Sequence, residues 1–186
     1  EKSFLICGVG RLVKGKGFQD LLKAFCILQK KDINSYIVIV GGNVAQDISK
    51  YESKILRMIK VLGIEKKIIM TGMVENVQEY LGCADVFVSA SYREGISRSM
   101  LEAMNIETPV IVTNIRGSRE VINHGMNGLL FEVKNYLDLS EHLINIKDNK
   151  LLSQSISKNA RKLVQSFYTE EKYTKRQIDI LTMISK

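Results

Sequence analysis

The sequence predicts an open, doubly wound α/β sheet of about six parallel strands, with helices on both faces and a helical C-terminal tail. Two observations carry that expectation. Short apolar, β-branched runs alternate with segments of helical periodicity along most of the chain, the pattern of repeated β-α-β units with right-handed crossovers. Several runs are apolar at nearly every position, as strands must be when both faces of a parallel sheet are covered.

Strands are expected at Phe4–Gly8, Tyr36–Val40, Ile68–Thr71, Val86–Ser89, Val110–Thr113 and Leu129–Phe131. Phe18, Leu21, Leu22, Phe25 and Leu28 form the apolar stripe of a first helix, and Ile48, Tyr51, Ile55, Ile59 and Leu62 that of a second. Leu137, Leu143 and Ile144 mark a third helix, Leu152, Ile156, Leu163 and Val164 a fourth, and a last one runs from about Glu170 to Ile184. Apolar residues at helical spacing are read as core-facing. After Ile146 no strand separates the helices, and the chain contains no Pro/Gly/Ser-rich linker, internal repeat or low-complexity segment. One domain spanning 1–186 with a helical tail is therefore expected. Ligands of such sheets bind beyond the carboxyl ends of the strands, so the loops there hold the chemistry.

The 186 residues suffice for a cored domain, and 45% hydrophobic with 25% charged residues is the balance of a folded globular chain. Lysine and arginine number 27 against 20 acidic residues, a net charge of +7. That excess fits phosphates, nucleic acid or an anionic membrane, and equally a solvated basic surface. Lys and Arg are dispersed with no interleaved aromatic stripe, so no nucleic acid partner is expected. Cys7, Cys26 and Cys83 sit in apolar runs without metal-ligand spacing, and are expected as buried thiols of a reducing compartment. With only His124 and His142 besides, scattered along the chain, no metal is expected. No apolar run has the length of a membrane span, and the amino terminus does not read as a signal peptide. The chain starts without Met and enters a strand at once, so a piece of a longer protein is expected.

Three loops stand out. After the first strand comes G-V-G-R-L-V-K-G-K-G-F, in which Gly8, Gly10, Gly15 and Gly17 permit tight turns and Arg11, Lys14 and Lys16 supply cations. The loop has neither the Walker nor the dinucleotide-binding spacing. Arg11 and Lys16 suit two neighbouring phosphates; a flexible basic loop is the other reading. After the fourth strand comes S-A-S-Y-R-E-G-I-S-R-S-M-L-E-A-M, with a helix starting near Ser97 or Arg98. Its free N–H groups, with the Ser97 and Ser99 hydroxyls, make a seat for an anion, and Glu94 at its mouth can accept from sugar hydroxyls. Glu102 is flanked by Met100, Leu101, Ala103 and Met104; such a carboxylate either needs a buried partner or faces solvent or a nearby cation. After the fifth strand, Gly117 and Ser118 read as the turn and cap of a short helix, with Glu120 in its first turn favoured by the helix dipole. G-M-N-G reads as a tight turn into the last strand. For His124 a structural role is favoured over a ligand role.

In order along the chain stand G-R-L-x-x-x-K-G-F, D-V-F-V-x-x-S, E-G-x-x-x-S-M-L-E-A-M, T-P-V-I-V-T and G-x-x-E-V-I-x-x-G-x-N-G-L-L-F. Together they resemble the C-terminal domain of family 4 retaining glycosyltransferases, from about Phe4 to the last helix. The resemblance implies a Rossmann-like half of a GT-B fold that binds the nucleotide-sugar donor, a UDP-sugar by the family's habits, with no cofactor. Arg11 and Lys16 match residues that hold the donor pyrophosphate and stabilise charge on the leaving diphosphate. Glu94 matches the acid that contacts the transferred sugar, and Glu102 the acid that binds the ribose hydroxyls. Gly95, Ile96 and Ser97 match the stretch whose amides meet sugar and phosphate, and Gly72, Met73 and Val74 lie where the base binds. The implied partner is a glycan or lipid-linked acceptor, reached through an N-terminal domain that this chain lacks. The setting expected is cytoplasmic, at the inner face of the membrane through peripheral association of the full-length protein. The alternative is a nucleotide-binding or assembly module without turnover. The chain departs from the family at Asn105, Ile106 and Glu107, at Ala90 in place of a common Pro, and at Gly42 and Asn43 after Gly41.

Overall fold

The computed structural model describes residues 3–31, 33–42 and 50–184. Six parallel strands form one sheet in the order β3-β2-β1-β4-β5-β6. They are β1 (Phe4–Val9), β2 (Ser35–Val40), β3 (Ile68–Gly72), β4 (Val86–Ser89), β5 (Val110–Thr113) and β6 (Leu129–Phe131), each within one residue of its expected limits. Gly8 consequently lies in β1 and not in a turn.

Alternation along the strands divides the core between two faces. On one face Phe4, Ile6, Ile37, Ile39, Val88 and Phe131 pack beneath α1 (Phe18–Lys30), α2 (Lys50–Val61) and α6 (Tyr136–Asp148). On the other Cys7, Val38, Val40, Phe87, Val110 and Val112 pack beneath α3 (Val77–Cys83), α4 (Arg98–Asn105) and α7 (Lys150–Phe167). The expected stripe of α1 is buried at all five positions. That of α2 is buried at Ile55 and Ile59; Leu62 lies past the helix end and is exposed, and Ile48 falls outside the described residues. In α6 the core residues are Leu139, Leu143 and Ile146, while Leu137, in the first turn, faces solvent. In α7 Ile156 and Val164 are buried and Leu152 and Leu163 half-buried.

Three expectations are corrected. Gly117 and Ser118 are not the turn and cap of α5 (Arg116–Arg119) but lie buried inside it, and Glu120 follows its end, 3.3 Å from the Arg116 guanidinium. Cys83, at the solvent-facing end of α3, is exposed; Cys7 is buried and Cys26 half-buried, and all three are free. The last helix, α8 (Glu170–Ile184), exists at its expected limits yet carries no core stripe. Ile178, Ile180, Leu181, Met183 and Ile184 are all more than half exposed. None of the described helices is long and apolar enough to cross a membrane.

Chain reversal at the carboxyl end of β1 depends on Gly17, which ends a one-turn 3-10 helix (Lys14–Lys16) and begins α1 at φ 65°. A Cβ there would overlap the carbonyl oxygen of Ala90, in the loop after β4. Gly15, two residues earlier, has open space where its Cβ would be. Gly17→Ala is expected to destabilise the protein by about 2 kcal/mol or more, from left-handed strain plus the overlap. Gly15→Ala should stay within about 0.5 kcal/mol of the parent. Chemical denaturation of both variants checks this, and equal midpoints would show that the two loops do not meet as described.

Candidate functional site

Strand order reverses between β1 and β4, and α1 and α4 leave on opposite faces there. In sheets wound this way the carboxyl edge at such a reversal is the crevice where ligands are taken. The loops after β1 and β4 are joined at its base. Tyr92 N–H donates to the Gly15 carbonyl at 2.8 Å, and Lys16 Nζ stands 2.5 Å from Glu94 Oε1. Both side chains are about one quarter exposed, so this pair meets solvent along one side only. A recess of about 10 Å³, the room of one water, lies beside Lys16 between Val9 and Ser89. Arg11, on the same loop, is exposed and has no charged partner among the described residues.

Beyond Glu94 the loop turns through exposed Gly95 and Ile96 into α4. Ser97 is the N-cap in extended conformation, and its hydroxyl lies 3.1 Å from that of Ser99 instead of capping the helix. The first N–H groups of α4 therefore remain available to an anion, on the positive end of the helix dipole. From behind, α5 presses its backbone against this turn, since a Cβ on Gly117 would overlap the Gly95 carbonyl. Arrival of β4 and β5 side by side brings the two loops together.

Glu102 lies within α4, half-buried, and receives Gln78 Nε2 of α3 at 3.4 Å. It thus meets an amide and not a cation. Gly72 ends β3 at φ 69°, and its carbonyl accepts from Gly41 N–H at 2.9 Å. Met73 is largely exposed, whereas Val74 packs on the core beneath α3. Arg11, Lys16, Glu94, Gly95, Ile96 and Ser97 thus gather around the crevice. Gly72, Met73 and Val74 lead into α3, the helix whose Gln78 meets Glu102. His124 stands apart: its Nδ1 accepts Leu130 N–H at 3.0 Å, and its ring tilts against His142 at 5.5 Å.

A polar network next to the pair escaped the sequence. Tyr92 hydroxyl donates to Asp20 Oδ2 at 2.6 Å and accepts from Gln19 Nε2 at 2.7 Å. Asp20 is 2% exposed, in the first turn of α1. Burial, followed by donation to Asp20, pushes the Tyr92 phenol up to about 12.

The chain matches known proteins over most of its length. The signature of the family described as Glycosyl transferases group 1 covers residues 1–163. The capsular polysaccharide biosynthesis glycosyltransferase CapM of Staphylococcus aureus is 27% identical over 169 residues, 91% of this chain and 43% of that protein. The UDP-Gal:alpha-D-GlcNAc-diphosphoundecaprenol alpha-1,3-galactosyltransferase of Escherichia coli is 28% identical over 170 residues, 90% of this chain and 42% of the enzyme. HepE of Anabaena, solved with UDP and glucose, superposes with a TM-score of 0.91 at 20% identity, over 97% of this chain and 48% of its own. The chain thus spans less than half the length of these relatives.

The Tyr92 geometry sets a pH dependence. A phenol whose pKa is raised by folding stabilises the fold while protonated. That contribution is complete below the ordinary value of about 10 and is lost as pH rises from there toward about 12. Burial pushes the Cys7 thiol up to about 12 as well, so the expected result is a difference between proteins. Tyr92→Phe should flatten the fall in denaturation midpoint between about pH 10 and 12, and parallel curves for parent and variant would refute the buried phenol–carboxylate bond.

Proposed function

This chain belongs to the glycosyl transferases group 1, and from that premise we propose that it is the donor half of a two-domain enzyme. Such an enzyme transfers a sugar from a nucleoside diphosphate, UDP above all, to a glycan or lipid-linked acceptor with retention of configuration. The observation that carries the reading is the Lys16–Glu94 pair at the crevice between β1 and β4. An ammonium suited to phosphate and a carboxylate suited to hydroxyl donors stand in one place, which supports a ligand that presents both, as a sugar diphosphate does.

In this reading Arg11 and Lys16 grip the pyrophosphate, and the free N–H groups of Ser97 and the first turn of α4 assist them. Glu94 orients the sugar, with Gly95 and Ile96 lining its approach. Glu102 accepts from the ribose hydroxyls, and Gly72, Met73 and Val74 flank the base. During transfer the bond from the anomeric carbon to the phosphate oxygen breaks and negative charge grows on the departing diphosphate. Arg11, Lys16 and the α4 terminus stabilise that charge, the effect that contributes most in comparable transfers. The donor's own phosphate takes the acceptor proton, as the family resemblance implies, with Arg11 and Lys16 at hand for the charge. The UDP-galactose specificity named for the Escherichia coli relative favours a uridine donor. The acceptor belongs to a second domain, consistent with the chain's matching less than half of its relatives. Cytoplasmic placement is part of the same proposal, because nucleotide sugars are found there.

Calorimetry with UDP tests the phosphate grip. Hydrogen bonds to charged groups contribute about 1.5–3 kcal/mol, so Arg11→Ala and Lys16→Ala should each weaken binding about tenfold to a hundredfold without lowering the melting temperature comparably. Unaltered affinity in both would move the phosphate to the α4 terminus. The two acids should separate in the same assay. Glu102→Gln loses charge-assisted acceptance from the ribose and should weaken UDP, whereas Glu94→Gln should spare UDP and depress turnover in the full enzyme. Equal losses of UDP affinity would refute this division of labour.

A further inference from the structure

We infer that Tyr92 is a positioning residue that holds Glu94 against Lys16 by anchoring its hydroxyl on the buried carboxylate of Asp20. Glu94 sits in a loop without regular structure, between exposed Arg93 and exposed Gly95. Among the described residues its side chain bonds only Lys16, and a partly exposed ion pair alone fixes geometry weakly. Two residues before it, Tyr92 supplies what the pair lacks. Its N–H holds the Gly15 carbonyl, next to Lys16. Its hydroxyl makes a bond of 2.6 Å to Asp20 Oδ2, and such charge-assisted bonds are short and directional.

Asp20 stands in the first turn of α1, where the helix dipole favours an acid, yet its burial is costly. At 2% exposure a carboxylate loses its hydration, and the nearest cation, Lys23 Nζ, stands 4.0 Å away and is itself half exposed. What Asp20 adds is a fixed acceptor on the first turn of α1, rigidly connected through Gly17 to Lys16. Lys16, Gln19 and Asp20 on one side and Tyr92 and Glu94 on the other are thus joined by three side-chain links. Gln19 Nε2, donating to the phenol oxygen, leaves the Tyr92 proton directed at Asp20. The role matters to sugar transfer only if the donor reading above holds, but the geometry itself can be read without ligand.

The experiment follows the side-chain ammonium resonance of Lys16 by NMR. In the parent protein this signal is expected to be distinct from those of exposed lysines and to merge with them in Glu94→Gln. Tyr92→Phe, which keeps the ring, should shift it most of the way to the same position while amide resonances far from the loop persist. Asp20→Asn, which still accepts a hydrogen bond but without charge, should produce an intermediate shift, and it serves if Tyr92→Phe does not fold. UDP affinity should fall about three- to tenfold in Tyr92→Phe, the loss expected when a charge-assisted contact is misplaced and not deleted. A Lys16 signal in Tyr92→Phe and Asp20→Asn identical to the parent's would overturn the inference, whatever the UDP result. A parent protein that shows the Lys16 shifts but binds no UDP would count against the donor reading and not against Tyr92.

Discussion

Two backbones meet at the carboxyl edge of the sheet with no room for a side chain between them, and the candidate site follows from that contact. Gly17 lies on the Ala90 carbonyl, Gly41 on the Gly10 carbonyl and Gly117 on the Gly95 carbonyl, each so close that a Cβ could not fit. These three glycines draw the loops after β1, β2, β4 and β5 into one rim. Any side chain at Gly17 would push the Lys16 loop off the Glu94 loop, and the pair at 2.5 Å would open. Glycine is needed here for approach as much as for its dihedral freedom.

The rim surrounds an opening because of the way the sheet is wound. Each parallel strand hands the chain to a helix, and helices from β1 and β4 cover opposite faces. Between neighbours whose helices share a face, loop and helix fill the space above the strands. At the β1/β4 boundary the helices part to opposite faces, and among the described residues the strand ends Val9 and Ser89 stay partly exposed. The uncapped α4 terminus and Lys16 border that edge, so the charge of the site is set by topology together with a few residues.

The strands were legible in the sequence because a strand covered on both faces must be apolar throughout, and V-I-V-T or Y-I-V-I-V has few other uses. Helix α1 was legible for the same kind of reason. Helix α3 was not: seven residues with Leu81 alone buried give no period to detect. Helix α8 shows the opposite failure, since its apolar residues are real but find no described partner, and sequence cannot say whether an apolar stripe has something to cover. Among site residues, Lys16 and Glu94 were visible through their loops and the family likeness. Asp20 and Tyr92 lie 72 positions apart and pair only after the sheet has formed. An acid beside Phe18, Leu21 and Leu22 at the start of α1 was the one available sign.

The closeness of Lys16 and Glu94 raises the question of how a site already internally paired could serve an anion. A lysine ammonium has three N–H donors, of which Glu94 engages one. Two remain for phosphate oxygens, so a ligand need not break the pair to reach Lys16. Glu94 likewise keeps its second carboxylate oxygen for hydroxyl donors. Its charge also limits the cost of gathering Arg11, Lys14 and Lys16 on one short loop, where unrelieved repulsion would oppose folding. Under the proposed donor reading, the ion pair is compatible with both parts of a sugar diphosphate at once, the ammonium serving the phosphate and the carboxylate the sugar hydroxyls. The pair stands in that arrangement without ligand, and the Tyr92–Asp20 bond to α1 is the part of the fold inferred to hold it there.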